Sequence, residues 1–344
     1  VTEVPLARAH AQGLAGARAG SVVEVVRKVV ALQAQDIRAN RLSVRVRSAG
    51  LTAADVDAAC ASGAVVRTWA MRGTLHMLAA EDAGWIVGLL GPRFAAATRP
   101  RRRQLGLDEE ITSRGVATLE SILAGKSLPR KEIVAALAEH GVVLDPKSQA
   151  PAHLIGFAAM TGVVCRGADV GDEPTYALFR DWVGPFRTLT EEEALARLAS
   201  RYLSAYAPAT AEDFAAWSGL TLRQARAGFA AAGPAEATAP VSGELSVRLL
   251  GHFDTYLLGY RSRELAVAPE FDRRIQAGGG FIMPAVLVNG RVAGTWRQER
   301  KKHGIEVRVD PFGPLGEDVL SGIRAEVDDL GRFLDHEAIF RSVD

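Results

Sequence analysis

The apolar pattern of the first third of the chain changes period once. Ser21 stands as an N-cap before Val22 to Leu32, Asp36 before a second helix running to about Val46, and Thr52 before a third, Ala53 to Ala61, ending near Gly63. Val65-Val66-Arg67-Thr68-Trp69-Ala70-Met71 is then β-branched and aromatic, Arg72-Gly73 supplies a turn, and Thr74 to Leu78 returns. Short helices followed by a two-stranded hairpin are the layout of a winged helix. The pattern recurs with helices at Asp108 to Ala124, Glu132 to His140 and Gln149 to Thr161, and strands at Val163 to Arg166 and Thr175 to Phe179. A third copy opens at Thr190, capping Glu191 to Tyr206. Thr210 to Trp217, Ser218-Gly219-Leu220 and Thr221 to Ala231 then spell helix, tight turn, helix, with Arg223, Gln224 and Arg226 on the exposed side of the second helix.

The last hundred residues switch to strands. Leu245 to Leu250 is short, Asp254 to Tyr260 reads as a helical turn, and Phe281 to Val288, Asn289-Gly290, Arg291 to Trp296 is a hairpin whose centre suits a type I′ turn. Ile305 to Val309 gives a further strand, so the basic stretch between Trp296 and Ile305 falls at the tip of the next hairpin. A helix, Glu317 to Leu334, follows. The fold class expected is α+β, mainly α, as three tandem winged-helix units with C-terminal β-hairpins. The division is residues 1–106, 107–188 and 189–344.

Composition narrows the function classes. Hydrophobic residues make up 48% and charged residues 24% of 344, a globular profile. No apolar run approaches the roughly 20 residues of a membrane helix, and no signal-peptide layout is visible, so a cytoplasmic protein is expected. Two cysteines, Cys60 and Cys165, and no His-x-x-x-His pair argue against a disulfide framework or a metal site, and no cofactor is expected. Forty-one basic against 40 acidic residues leave a net charge of +1, but the charges are segregated. Arg99-Pro100-Arg101-Arg102-Arg103 and Arg297-Gln298-Glu299-Arg300-Lys301-Lys302-His303 form basic clusters, which can present one basic face at near-zero net charge.

Four stretches carry a family resemblance: Leu32-Gln33-Ala34-Gln35-Asp36, Arg67 to His76, Phe253 to Arg261, and Gly278-Gly279-Gly280 through Thr295-Trp296-Arg297. Together they resemble the AlkZ-like winged-helix DNA glycosylases, bacterial enzymes related to AlkZ and to the AlkX (YcaQ) branch. The resemblance implies a C-shaped body with DNA in its channel. It also implies a catalytic signature that is Gln-apolar-Gln in the AlkZ branch and Gln-apolar-Asp in the other. Here Gln33-Ala34-Gln35 fits the former, and one departure is His252, where Pro and a basic residue are expected before Phe253-Asp254.

An amide offers two donors and an acceptor but no general base. That equipment suits a purine already made cationic by alkylation, whose base leaves neutral without a general acid. Gln33 and Gln35 need then only orient a water and stabilise an oxocarbenium-like sugar with fixed dipoles. A competing reading is that both glutamines satisfy backbone groups in a turn. Arg101, Arg102 and Arg103, with Arg297, Arg300, Lys301, Lys302 and His303 on the hairpin, are the expected DNA contacts. The expected partner is double-stranded DNA carrying alkylated purines, bound by a monomer. A probing hairpin in an open channel suits bulky adducts and interstrand crosslinks, which cannot readily be flipped into a pocket. No Lys but Lys28 stands near the pair, so a monofunctional enzyme is expected. Asp254 is either a buried base or an N-cap, Asp36 a cap with a water-positioning role left open, His76 a phosphate contact or a satisfied core residue, and Trp69 and Trp296 core residues rather than stacking platforms. Two rival readings are a non-catalytic winged-helix regulator and a drug-sequestering protein.

Overall fold

The computed structural model describes residues 4–171, 173–233, 244–302 and 304–342. After α1 (Val4–Ala11), the first unit runs α2 (Val22–Val29), β1 (Leu32–Gln33), α3 (Ile37–Arg45), α4 (Ala53–Ala61), β2 (Val65–Trp69) and β3 (Leu75–Ala79). Its helix starts follow from their caps. Ser21 with Glu24 and Thr52 with Asp55 form capping boxes, and the Asp36 side chain accepts from the backbone N–H groups of Arg38 and Ala39. β3 lies between β1 and β2, antiparallel to both, with Gln33 opposite His76 and His76 opposite Thr68.

The same order returns in α7 (Glu109–Ile122), β4 (Leu128–Pro129), α8 (Arg130–Glu139), α9 (Ala150–Met160), β5 (Val164–Arg166) and β6 (Thr175–Leu178). The two three-stranded sheets join where Arg67 on β2 faces Arg166 on β5, giving one six-stranded sheet in the order β1-β3-β2-β5-β6-β4. Between the units run α5 (Ala80–Ala97) and α6 (Arg99–Gln104). Sequence reasoning passed over α5, an 18-residue helix containing Gly84, Gly88, Gly91 and Pro92. Packing explains two of those breakers. A Cβ at Gly91 would collide with the Met160 carbonyl on α9, and one at Gly84 with the Phe186 ring.

After α10 (Phe179–Val183), a third set of helices, α11 (Glu191–Tyr206), α12 (Ala211–Ser218) and α13 (Leu222–Ala232), follows as expected, with Gly219 left-handed at φ 82° in the turn. The expected hairpin centred on Asn289-Gly290 forms within a larger sheet. β7 (Val247–Leu250) leads through α14 (Thr255–Leu258) and α15 (Asp272–Ile275) into β8 (Ala285–Val288), β9 (Arg291–Lys301), β10 (Gly304–Pro311), α16 (Glu317–Leu334) and β11 (Ala338–Ser342). The strands make a separate five-stranded sheet, order β11-β10-β9-β8-β7, with α16 packed on it. Asn289 and Gly290 both have positive φ, 48° and 81°, as a type I′ turn requires.

Apolar packing crosses the units. One core joins Val30, Val66 and Leu78 to Ile86 and Leu90 of α5, and to Leu198, Tyr202, Tyr206, Phe214 and Trp217 of α11 and α12. Two buried ion pairs then tie the first unit to the C-terminal third. Arg47 grips Asp254 at 2.7 Å with both side chains fully buried, and Arg45 meets Glu326 at 2.9 Å. Removing one partner of such a pair costs about 3–5 kcal/mol, because the other charge is left buried alone. No described helix is long and apolar enough to cross a membrane.

Candidate active site

The glutamine segment owes its shape to an abrupt helix end. α2 stops at Val29 rather than running on to Leu32, because Val30 adopts φ 69°, ψ −47°. The Ala31 N–H donates to the Val29 carbonyl at 2.8 Å, closing a γ-turn of the rare, strained hand. Such a conformation at a β-branched residue persists only where the surroundings over-determine it. Here the buried Tyr206 hydroxyl donates to the same Val29 carbonyl at 3.0 Å and is itself 2.7 Å from Thr255 Oγ1.

Beyond this turn the chain is extended, so Gln33 and Gln35 project to one side. Their amides meet: Gln33 Nε2 donates to Gln35 Oε1 at 2.6 Å. The competing reading, that these side chains satisfy turn backbone, does not describe the bonding. Asn40 Nδ2 donates to the Gln33 carbonyl at 2.9 Å, Ala34 N–H to the Leu75 carbonyl at 2.9 Å, and Asp36 takes the N–H groups of Arg38 and Ala39 at 2.8 and 3.0 Å. Among the described residues, Gln33 Oε1 and Gln35 Nε2 have no hydrogen-bond partner. Gln33 is half-buried and Gln35 exposed. The pair therefore offers an outward acceptor and an outward donor on a backbone fixed by other groups.

His76, facing Gln33, is 3% exposed, and burial, reinforced by the Arg72 charge, pushes its pKa down to about 3. Its Nδ1 lies 2.9 Å from the Thr74 carbonyl. A carbonyl only accepts, so Nδ1 carries the proton and Nε2 keeps its lone pair. Asp254 is the α14 cap, accepting from Tyr256 N–H at 2.9 Å while Arg47 holds both its oxygens. It is not free to act as a base. Cys60 and Cys165 are buried, with thiols pushed up to about 11 and 12 by desolvation, and neither is a nucleophile.

The two basic segments differ. Arg297, Arg300 and Lys301 are strand residues of β9, which ends at Lys301, and β10 begins at Gly304. β8 pairs with β9 only as far as Thr295, so the basic end runs beyond that partner. Arg297, Arg300, Lys301 and Lys302 are exposed, although Lys301 Nζ reaches Glu299 at 2.7 Å and Arg300 donates to His336. His303 lies outside the described residues. In α6, Arg101 and Arg103 are exposed but Arg102 is not. Its guanidinium donates inward to the Ala95 carbonyl and Thr98 Oγ1 and stacks 4.0 Å over Phe157, so it holds the α5–α6 junction to α9 rather than presenting charge. Helix periodicity explains the difference, since the middle of three consecutive residues there faces the core. On α13, Gln224 is engaged by Thr221 and Glu191, and Arg226 by Glu212, leaving Arg223 exposed.

Residues 26–333 match the family described as DNA glycosylase AlkZ-like. The chain belongs to that family. A Streptomyces sahachiroi protein named an interstrand DNA cross-link repair glycosylase is 31% identical over 314 residues, 80% of this chain and 82% of the relative. The solved structure of the Streptomyces sahachiroi DNA glycosylase AlkZ matches with a TM-score of 0.80 at 26% identity, covering 99% of this chain and 98% of that one. DNA is thus the substrate of an AlkZ-like enzyme whose glutamine segment is built as described above.

Several residues that shape this AlkZ-like site escaped sequence reasoning. Asn40 fixes the Gln33 carbonyl from a fully buried position on α3, and its polar sequence neighbours Arg38, Arg41 and Ser43 gave no sign of that burial. Tyr206 and Thr255 act from more than 170 residues away, and no local pattern announces them. His252, the departure from the family text, is turned inward. Its Nδ1 donates to the Ile282 carbonyl at 3.0 Å and its ring packs 4.9 Å from Phe281, so it anchors the turn through Gly278, Gly279 and Gly280. Among the described residues no group of three or more His, Cys, Asp or Glu is placed to hold a metal ion.

Proposed function

We propose that this AlkZ-like glycosylase hydrolyses the N-glycosidic bond of alkylated, cationic purines in duplex DNA, using Gln33 and Gln35. The observation that carries the reading is the 2.6 Å amide–amide bond with the turn backbone satisfied elsewhere. In this scheme Gln33 Oε1 accepts from the attacking water and turns the negative end of its dipole toward the developing sugar cation. Gln35 Nε2 supplies a donor to the water or the sugar. Fixed dipoles of this kind contribute about 100-fold or more in rate. No acid is needed, because the alkylated base departs neutral.

The relative named for interstrand cross-link repair favours large adducts and crosslinks as substrates, in repair or in self-resistance to a genotoxin. Arg297, Arg300, Lys301 and Lys302 on the hairpin, with Arg101 and Arg103, are proposed to hold flanking phosphates. The enzyme acts as a monomer and is monofunctional, leaving an abasic site. Lys28, the amine nearest the pair in sequence, borders a separate cleft of about 500 Å³ with Ala17, Arg18 and Glu24.

The test is base release from duplex DNA carrying 7-methylguanine or a bulkier purine adduct, with DNA affinity measured in parallel. Wild type is expected to excise both, and the Gln33→Ala, Gln35→Ala double variant to bind without excising. Binding without release by wild type on both lesions returns the protein to a non-catalytic DNA-binding role. Activity confined to methyl adducts removes the bulky-substrate part.

A further inference from the structure

The strand register sets three polar side chains in one row across the first three-stranded sheet. Gln33 on β1 faces His76 on β3, and His76 faces Thr68 on β2. Directly opposed residues share a face, with Cβ atoms about 4.5–5.5 Å apart. The next row on this face, Val66 opposite Leu78, is apolar and belongs to the central core. Burial deepens along the polar row, from half-buried Gln33 through His76 at 3% exposure to Thr68 at 0%.

The row is not closed on itself. Thr68 Oγ1 is buried without a hydrogen-bond partner among the described residues. His76 Nε2 is left as an acceptor once Nδ1 is bound to Thr74. Gln33 Nε2 has one hydrogen on Gln35 and a second unassigned. An unpaired buried hydroxyl is destabilising, and valine, equally at home in a strand, would remove it. Retaining threonine therefore calls for a partner. One water, accepting from Thr68 Oγ1–H and from the second Gln33 Nε2 hydrogen while donating to His76 Nε2, satisfies all three groups, and buried waters typically make about three such bonds.

We propose that Thr68 and His76 are positioning residues that, through one buried water, lock the Gln33 amide with its Oε1 facing outward. This rests on Gln33 being catalytic. Neither residue touches the substrate, so both act on the chemical step and not on DNA binding.

Single-turnover release of 7-methylguanine, DNA affinity and Tm are compared across five variants. Thr68→Val removes the hydroxyl at constant shape, and Thr68→Ser restores it. His76→Asn keeps a donor at the Nδ1 position but loses the Nε2 acceptor, while His76→Gln reaches the Nε2 position. Gln33→Ala tests the underlying reading. Thr68→Val is expected to keep or raise Tm, leave affinity unchanged and slow release about tenfold, the scale of one modest hydrogen bond, with Thr68→Ser near wild type. His76→Gln is expected to release faster than His76→Asn. If Gln33→Ala is inactive while Thr68→Val and His76→Asn release at the wild-type rate, the positioning role is overturned alone. If Gln33→Ala itself releases at the wild-type rate, the catalytic reading falls and this inference with it.

Discussion

The first two units share their order of elements and meet edge to edge in one sheet, yet they treat the same junction differently. In the first, β1 is followed by Ala34-Gln35-Asp36 before α3 begins. In the second, β4 runs straight into α8, with Pro129 both ending the strand and standing at the N-cap position without a side-chain cap. The partner rows differ in the same sense. Opposite Gln33 stands His76, whose Nε2 is unused, and opposite that Thr68, whose hydroxyl is unpaired. Opposite Pro129 stands Thr175, whose Oγ1 donates to the Ala168 carbonyl at 2.6 Å. One scaffold thus yields a structural junction whose threonine is bonded within its own unit, and a candidate site where an added turn leaves the threonine, histidine and glutamine groups open to one another.

The comparison breaks most visibly at the glutamines. Replacing both Gln33 and Gln35 by Ala is expected to slow base release by about 100-fold or more without weakening DNA binding. A double variant with wild-type turnover would remove the functional distinction between the junctions.

The next effect is on stability against pH. The folded-state pKa of His76 is depressed to about 3 from an ordinary 6.5, so the unfolded chain takes up a proton first as pH falls. His76 therefore stabilises the fold fully above pH 6.5, and that contribution is lost as pH falls from 6.5 toward 3, at up to about 1.4 kcal/mol per pH unit. Denaturant titrations of wild type and His76→Gln across that range should show the variant with the shallower decline, and parallel curves would contradict the assignment.

Thr175→Val in the second unit should cost about 1 kcal/mol through its lost hydrogen bond, while Thr68→Val in the first should cost nothing or stabilise. Equal Tm losses would erase the contrast between the rows. Asp36→Ala should cost about 1 kcal/mol as a lost cap, read as a lowered denaturation midpoint. The smallest effect belongs to the hairpin. Lys302→Ala is expected to reduce the slope of log affinity against log salt by about one without changing the excision rate of bound substrate.

What was legible in the sequence was local. Ser21, Asp36, Thr52, Thr190 and Thr221 all cap the helices they precede, because a cap needs only its own first turn. The Asn289-Gly290 turn followed from its own backbone demands, and the place of the glutamine pair between two helices followed from Asp36. What was hidden depends on distant partners. α5 carries glycines that only its contacts with α9 and Phe186 require, Arg102 turns inward to find Phe157, and the early end of α2 reflects a hydroxyl from α11. The pairing of β11 alongside β10, parallel and across α16, has no local signature either.

The strained turn at Val30 also has a temporal meaning. The hydroxyl that braces it belongs to residue 206, and the group that steadies that hydroxyl belongs to residue 255. During synthesis the glutamines emerge early, but the groups that secure them arrive more than 170 residues later. A half-made chain that has formed its first helices and strands still holds its two amides on an unlatched hinge. The proposed site is thereby completed only when the polypeptide has wrapped back on its own beginning.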